Sequence, residues 1–237
     1  MGLIINKLAF PIPQPSYDNT LSHLKFIKVN EHYIIPVRHY HRDDRLKTIL
    51  YSHSNSELIS DFEITDLSEV YQANMCMYDY AGYGLHSIRN ASEEHCYTDI
   101  KAVYSYLIDF GIQSDQIVLY GRSIGTGPSC YLAQWLNKQN QFPKIILVSP
   151  FKSIIQVVIN LPNLPMDIFN NQKRAPDIKS PVLIIHGCQD MITSHQQSVS
   201  LSKLFCHLYD FVTIHRCGHH NLYIRPEYYD AIHCFIK

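Results

Sequence analysis

From Lys47 onward, short runs of apolar, β-favouring residues alternate with stretches of helix length. TILYSH precedes 56–72, MCMYDY precedes 92–110, and QIVLYG precedes 123–138. IILVS precedes a variable stretch, VLIIH precedes 194–206, and FVTIH precedes 225–236. Strands that alternate with helices pair in parallel, because each crossover helix returns the chain to the same end of the sheet. Apolar runs without polar alternation are buried on both faces. The pattern therefore predicts an α/β fold, a mostly parallel central sheet with helices on both faces. LKFIKV and YIIPVRHYH, ahead of this region, read as an antiparallel start to the sheet. The Pro-rich opening FPIPQPSYD predicts an extended N-terminal segment over 1–20, leaving 21–237 as a single domain. A length of 237 residues with 46% hydrophobic content suits one large core rather than two small ones.

Composition removes several function classes. A formal charge of −1, with no long run of like charge, offers no basic face for a phosphate backbone, so nucleic acid is not an expected partner. The seven cysteines are scattered and contain no CxxC pair, which predicts reduced, mostly buried thiols rather than a disulfide framework or a zinc site. His39 and His41 share a strand face, but no third ligand lies nearby, so no metal is expected, and no cofactor motif is present. No uncharged apolar stretch approaches a membrane span. Gly2 lies in MGLIIN, where Asn6 replaces the usual hydroxyl residue of a myristoylation motif. The expected location is cytoplasmic, with at most peripheral contact with membranes.

In open parallel sheets, ligands bind at the carboxyl ends of the strands, so the residues that follow each strand matter most. Gly121-Arg122-Ser123-Ile124-Gly125 lies between the apolar strand IVLY and a helical stretch. Small residues two before and two after a serine allow a turn sharp enough to expose its Oγ. The alternative for Ser123 is a helix N-cap, whose hydroxyl merely accepts a backbone N–H. A serine nucleophile needs a base, and the base needs an orienting acid. The chain supplies them in the order Ser, Asp, His. Asp190 follows VLIIHG, and His219 follows Gly218 in the loop after the last strand. Read singly, Asp190 fits a turn and His219 is one of fourteen histidines; their joint order and placement favour a triad. His220 is the rival base, and Asp167 and Asp177 are rival acids that do not directly follow a strand.

A tetrahedral intermediate also needs donors aimed at its oxyanion, each worth about 3–4 kcal/mol. One is the backbone N–H of Ile124. The other falls in the loop after TILYSH, at Asn55 or Ser56, and the sequence leaves that choice open. Tyr78, Tyr80 and Tyr83 read as packing and turn residues bordering this site. The stretch FKSIIQVVINLPNLPMDIFNN has room for little more than one helix and a broken loop, which predicts a minimal cap and an open apolar groove.

With these residues placed, the chain resembles the serine α/β hydrolases, specifically the alpha/beta hydrolase domain-containing protein 17 family of protein depalmitoylases. The blocks that carry the likeness are KLAFPIPQPSY, TILYSHSNS, MYDYAGYG, YGRSIGTGP, DIFNN, SPVLIIHGCQD and GHHN. The resemblance implies an α/β-hydrolase fold, with Ser123 as nucleophile, Asp190 as acid and His219 as base. It also implies a substrate: a palmitoyl thioester on a membrane-associated protein. A carboxylesterase or acylglycerol lipase would use the same triad, and a non-catalytic hydrolase-fold binding module is the alternative outside enzymes. Three positions depart from the family pattern. Ser54 stands where the family has glycine, Leu222 stands where an acidic residue follows the histidine, and no cysteine precedes Cys76, where the family carries a palmitoylated cysteine-rich segment. Oligomeric state is not encoded in any of these features.

Overall fold

The computed structural model describes residues 9–13, 16–88, 90–158 and 167–237. Eight strands form one sheet: β1 (Leu24–Asn30), β2 (Tyr33–Tyr40), β3 (Thr48–Ser52), β4 (Asn74–Tyr78), β5 (Ile117–Arg122), β6 (Lys144–Val148), β7 (Val182–Gly187) and β8 (Leu208–Ile214). Their spatial order is β1-β2-β4-β3-β5-β6-β7-β8. The sequence expectation of an antiparallel opening holds, since β1 pairs antiparallel with β2 and β2 with β4. The remaining pairings, from β4–β3 across to β7–β8, are parallel. All five residues of β3 and of β4 are buried, as unalternated apolar strands covered on both faces must be.

Helices α1 (Ile64–Tyr71), α2 (Glu93–Asp109), α3 (Thr126–Asn137), α4 (Ile154–Val158), α5 (Asn171–Arg174), α6 (His195–Ser202) and α7 (Pro226–Ile236) connect the strands. The sheet separates two apolar clusters. Leu50, Leu119, Leu147 and Ile184 join Val103, Leu107 and Leu132 of α2 and α3 on one face. Ile49, Val118, Ile146 and Ile185 join Ile64, Tyr71, Ile232 and Phe235 of α1 and α7 on the other. Side chains of this size each contribute about 1.5–3 kcal/mol on full burial. Local signals set the helix starts. The Ser92 hydroxyl accepts the His95 amide at 3.1 Å, with Glu93 and Glu94 in the first turn of α2, and Pro226 opens α7.

One helix is much shorter than its sequence suggests. The stretch 56–72 is helical only over Ile64–Tyr71. The Leu58 amide is taken by Asp61, and the Ile59 amide by Asp79 on the β4 side. Those bonds divert the backbone donors that a helix would use, and 53–63 becomes a loop. At the N-terminal end, Ala9 and Phe10 are buried, and Phe10 meets Phe169 edge-on at 5.9 Å. The segment expected to line an apolar groove lies partly in 159–166, outside the described residues.

Candidate active site

Ser123 is the first residue after β5, with φ 52° in the left-handed region. For a residue with a Cβ this conformation costs on the order of 1–3 kcal/mol and persists only where the surroundings enforce it. Here the enforcement comes from two glycines. A Cβ on Gly125 would lie 2.1 Å from the Ser52 carbonyl oxygen, and one on Gly121 would lie 2.5 Å from the Gly125 carbonyl oxygen. The turn of 3₁₀ helix over Ser123–Gly125 therefore packs directly on the end of β3 before α3 begins. The Thr126 hydroxyl donates to the Ser123 carbonyl at 2.7 Å, closing the turn.

The structure brings Ser123, His219 and Asp190 together. His219 Nε2 lies 3.0 Å from Ser123 Oγ, and His219 Nδ1 lies 2.6 Å from Asp190 Oδ2. Ser123, Asp190 and His219 are 7%, 7% and 5% exposed, so the array is largely shielded from solvent. Asp190 sits in an Asx turn: its Oδ1 accepts the amides of Ile192 and Thr193, both at 2.9 Å. The Thr193 hydroxyl donates to Asp190 Oδ2 at 3.0 Å, and the ring of buried His186 approaches the same oxygen at 3.1 Å. Burial alone would raise the Asp190 carboxyl. The bonds from His186, His219 and the Thr193 amide more than offset it and hold Asp190 well below the usual carboxylate range.

The rivals are placed elsewhere. His220 is exposed and meets His219 edge-on, with ring centroids 5.1 Å apart. Asp167 accepts the Ile155 amide at 3.1 Å, and Asp177 accepts from Gln134 at 2.8 Å.

The loop after β3 abuts the elbow. As the second residue of a 3₁₀ turn, Ile124 has no preceding carbonyl of its own helix to accept its N–H. The Ser54 amide donates to Glu57 Oε2 at 2.8 Å, whereas half-buried Asn55 and exposed Ser56 are the central residues of a turn closed by Glu57 N–H to Ser54 C=O at 3.2 Å. Ser54 is absent from the residues with left-handed backbone, so a glycine's conformational freedom is not required there. Two tyrosines read from sequence as packing also hold this loop. Tyr80 donates to the His53 carbonyl at 2.6 Å and Tyr83 to the Asn55 carbonyl at 2.8 Å.

The loop carrying His219 is secured without an acidic residue at position 222. Leu222 is buried, the Asn221 side chain accepts the Gly218 amide at 2.8 Å, and Arg122 Nη2 donates to the His219 carbonyl at 3.1 Å. Sequence reasoning missed Thr193, His186, Arg122 and Glu57, and saw Tyr80 and Tyr83 only as packing and turn residues at the border of the site. Only the Asp190–Thr193 turn had a local signal, an Asp three residues ahead of a Thr.

Among the described residues, no group of three or more His, Cys, Asp or Glu side chains could hold a metal ion, and no helix is long and apolar enough to cross a membrane. All seven cysteines are free; Cys76, Cys96, Cys130 and Cys217 are buried, and Cys188, Cys206 and Cys234 are exposed. Two cavities flank the array. One of about 440 Å³ is lined by Tyr51, Tyr71, Arg122, His220 and Tyr228. Another of about 510 Å³ lies by Asp190, Met191 and Gln156.

No protein-family model matches the chain. Human alpha/beta hydrolase domain-containing protein 17B is 30% identical, the match covering 80% of this chain and 66% of the relative. The Caenorhabditis elegans protein aho-3, also named as an alpha/beta hydrolase domain-containing protein, is 28% identical over 98% of this chain and 77% of its own length. A protein of Acanthamoeba polyphaga mimivirus named as an alpha/beta hydrolase is 35% identical over 67% of this chain. The chain thus spans 61% of that viral relative and about two thirds of the human one. Among solved structures, Est1E from Butyrivibrio proteoclasticus with bound ferulic acid superposes with a TM-score of 0.71 at 17% identity, covering 89% of this chain and 97% of Est1E. An alpha-beta serine hydrolase homologue from Coxiella burnetii gives 0.65 at 19% identity, covering 94% and 100%. On these relatives, at 30–31% identity over 80% of its length, the chain belongs to the alpha/beta hydrolases, and within them it is similar to the domain-containing 17 proteins.

Proposed function

We propose that this chain is a serine hydrolase working through an acyl-enzyme, and that its substrate is an S-palmitoyl thioester on a protein. The observation that carries the catalytic reading is the continuous array Ser123 Oγ, His219 Nε2, His219 Nδ1 and Asp190 Oδ2, at 3.0 and 2.6 Å. Ser123 O–H donates to neutral His219, whose Nδ1–H donates to the ionised Asp190. Attack on the acyl carbonyl transfers the serine proton to His219 and places negative charge on the carbonyl oxygen. The Ile124 amide, with that of Asn55 or Ser56, is the donor set for this oxyanion. Collapse expels the thiol, protonated by His219, and leaves the acyl group on Ser123. Water then attacks with His219 as base, releasing fatty acid and restoring the serine.

The thioester reading is supported by the likeness to the domain-containing 17 proteins, whose shared blocks extend well beyond the elbow. A carboxylesterase or lipase is the second reading, favoured by solved neighbours that include an esterase from Rhodococcus. Fluorophosphonate labelling of the wild type, abolished by Ser123→Ala, is the expected result, together with a loss of hydrolysis of about 10⁴-fold or more. An unlabelled wild type would sink the enzyme reading and favour a binding module. Turnover of a palmitoyl-cysteine peptide above that of a short-chain ester supports depalmitoylation; the reverse preference supports the carboxylesterase. Peripheral attachment to membranes belongs to the depalmitoylase reading and is checked by fractionation of the wild type beside Gly2→Ala.

A further inference from the structure

Three catalytic parts come from separate places in the chain: the nucleophile after β5, an oxyanion donor after β3 and the base after β8. One ion pair touches all three. Arg122 immediately precedes Ser123, and its Nη1 bonds Glu57 Oε1 in the loop after β3. The other Glu57 oxygen accepts the Ser54 amide at 2.8 Å, one residue before the Asn55 amide. Arg122 Nη2 donates to the carbonyl of His219 itself, at 3.1 Å. Both side chains are largely buried, at 11% and 15% exposure. Burial opposes the Arg122 charge, but the Glu57 carboxylate more than offsets it and keeps the guanidinium protonated.

We infer that Arg122 and Glu57 are positioning residues that set the distance between the oxyanion loop and the histidine loop across Ser123. The inference rests on the serine hydrolase reading above. Its physical basis is the fork of the guanidinium, in which two nitrogens with fixed separation hold two acceptors on different loops. The carboxylate does the same from its side, with one oxygen for Arg122 and one for the Ser54 amide. Neither residue touches the reacting atoms. Each acts through the placement of a backbone segment, and a misplacement of about 1 Å in such a segment costs on the order of 100-fold in rate.

Arg122→Lys separates positioning from bulk stability. A single ammonium retains the charge beside Glu57 but cannot also reach the His219 carbonyl. Glu57→Gln offers one acceptor where the carboxylate offers two, so either Ser54 or Arg122 loses its partner. In both variants kcat is expected to fall about 10- to 100-fold with KM within about twofold, and the rate of fluorophosphonate labelling of Ser123 should fall in parallel. Arg122→Lys should keep a wild-type circular dichroism spectrum. The double variant should lose little more than either single one, because the pair acts as a unit. Wild-type kcat and labelling rate in folded Arg122→Lys would overturn the inference, as would a loss of activity that appears in KM alone. If Glu57→Gln fails to fold, Arg122→Lys still decides. A wild type that does not label at all refutes the serine hydrolase reading instead, so the two failures are distinct.

Discussion

The elbow around Ser123 and the loop over 53–63 face each other across the same site but are held in opposite ways. The elbow is shaped by its own backbone: Ser123 at φ 52°, with two glycines within two residues of it whose hydrogens admit the contacts that a Cβ would block. The loop is shaped by distant side chains. Tyr80, Tyr83 and Asp79 grip it from the β4 side, and Arg122 grips Glu57 from β5. A locally built element fails all at once when its small residues are enlarged. An element held by several outside partners loses its position in steps.

The largest effect is expected at the elbow. Gly125→Ala drives a methyl into the Ser52 and His53 carbonyls, which are backbone atoms of a central strand end and cannot swing aside. A destabilisation of about 3 kcal/mol or more is expected, read by urea denaturation or by the yield of folded protein. Wild-type stability in this variant would show that the elbow can relax.

Smaller effects are expected across the loop. Tyr80→Phe and Tyr83→Phe each leave a carbonyl of residue 53 or 55 without its phenol donor, at a cost of about 1–2 kcal/mol. Each should lower kcat while leaving fluorophosphonate labelling detectable. The pair should be close to additive if the two tyrosines act as separate grips.

Ser123→Gly should raise the stability relative to Ser123→Ala by about 1 kcal/mol, since both lack the hydroxyl but only glycine accepts φ 52° freely. Equal melting temperatures would mean that the turn stores no strain. The smallest effect belongs to Ser54→Gly. Because Ser54 does not need a left-handed backbone, glycine adds only unfolded-state entropy, and a loss of about 0.4–1 kcal/mol with unchanged kcat is expected. A marked rise in kcat would instead show that the serine Cβ obstructs the oxyanion loop.

The same contrast explains what could be read from the amino-acid sequence. The succession of β3 to β8 along the chain and the turn after β5 were legible because each is announced locally, and the same local signals singled out Ser123, Asp190 and His219, which the fold brings together. Apolar runs mark strands, GRSIG marks a turn after one of them, and Asp190 and His219 each follow a strand. The reading of 56–72 as a helix failed from 56 to 63. There the amides of Leu58 and Ile59 bond carboxylates, one of them Asp79 on the far side of α1 in sequence. No window of neighbouring residues contains that information.

By itself, the sequence determined the layered α/β architecture, the sharp turn at Ser123 and the order of the three side chains, because hydrophobic periodicity and glycine's lack of a Cβ act over a few residues. Tertiary structure alone decided that the Ser54 amide of the 53–63 loop is already engaged, that Ser54 needs no left-handed backbone, and that Arg122 and Glu57 tie the Ser123, 53–63 and His219 segments together. Those outcomes depend on hydrogen bonds between groups separated by 65 and 97 positions in the chain, whose meeting is set by the sheet order rather than by any local preference.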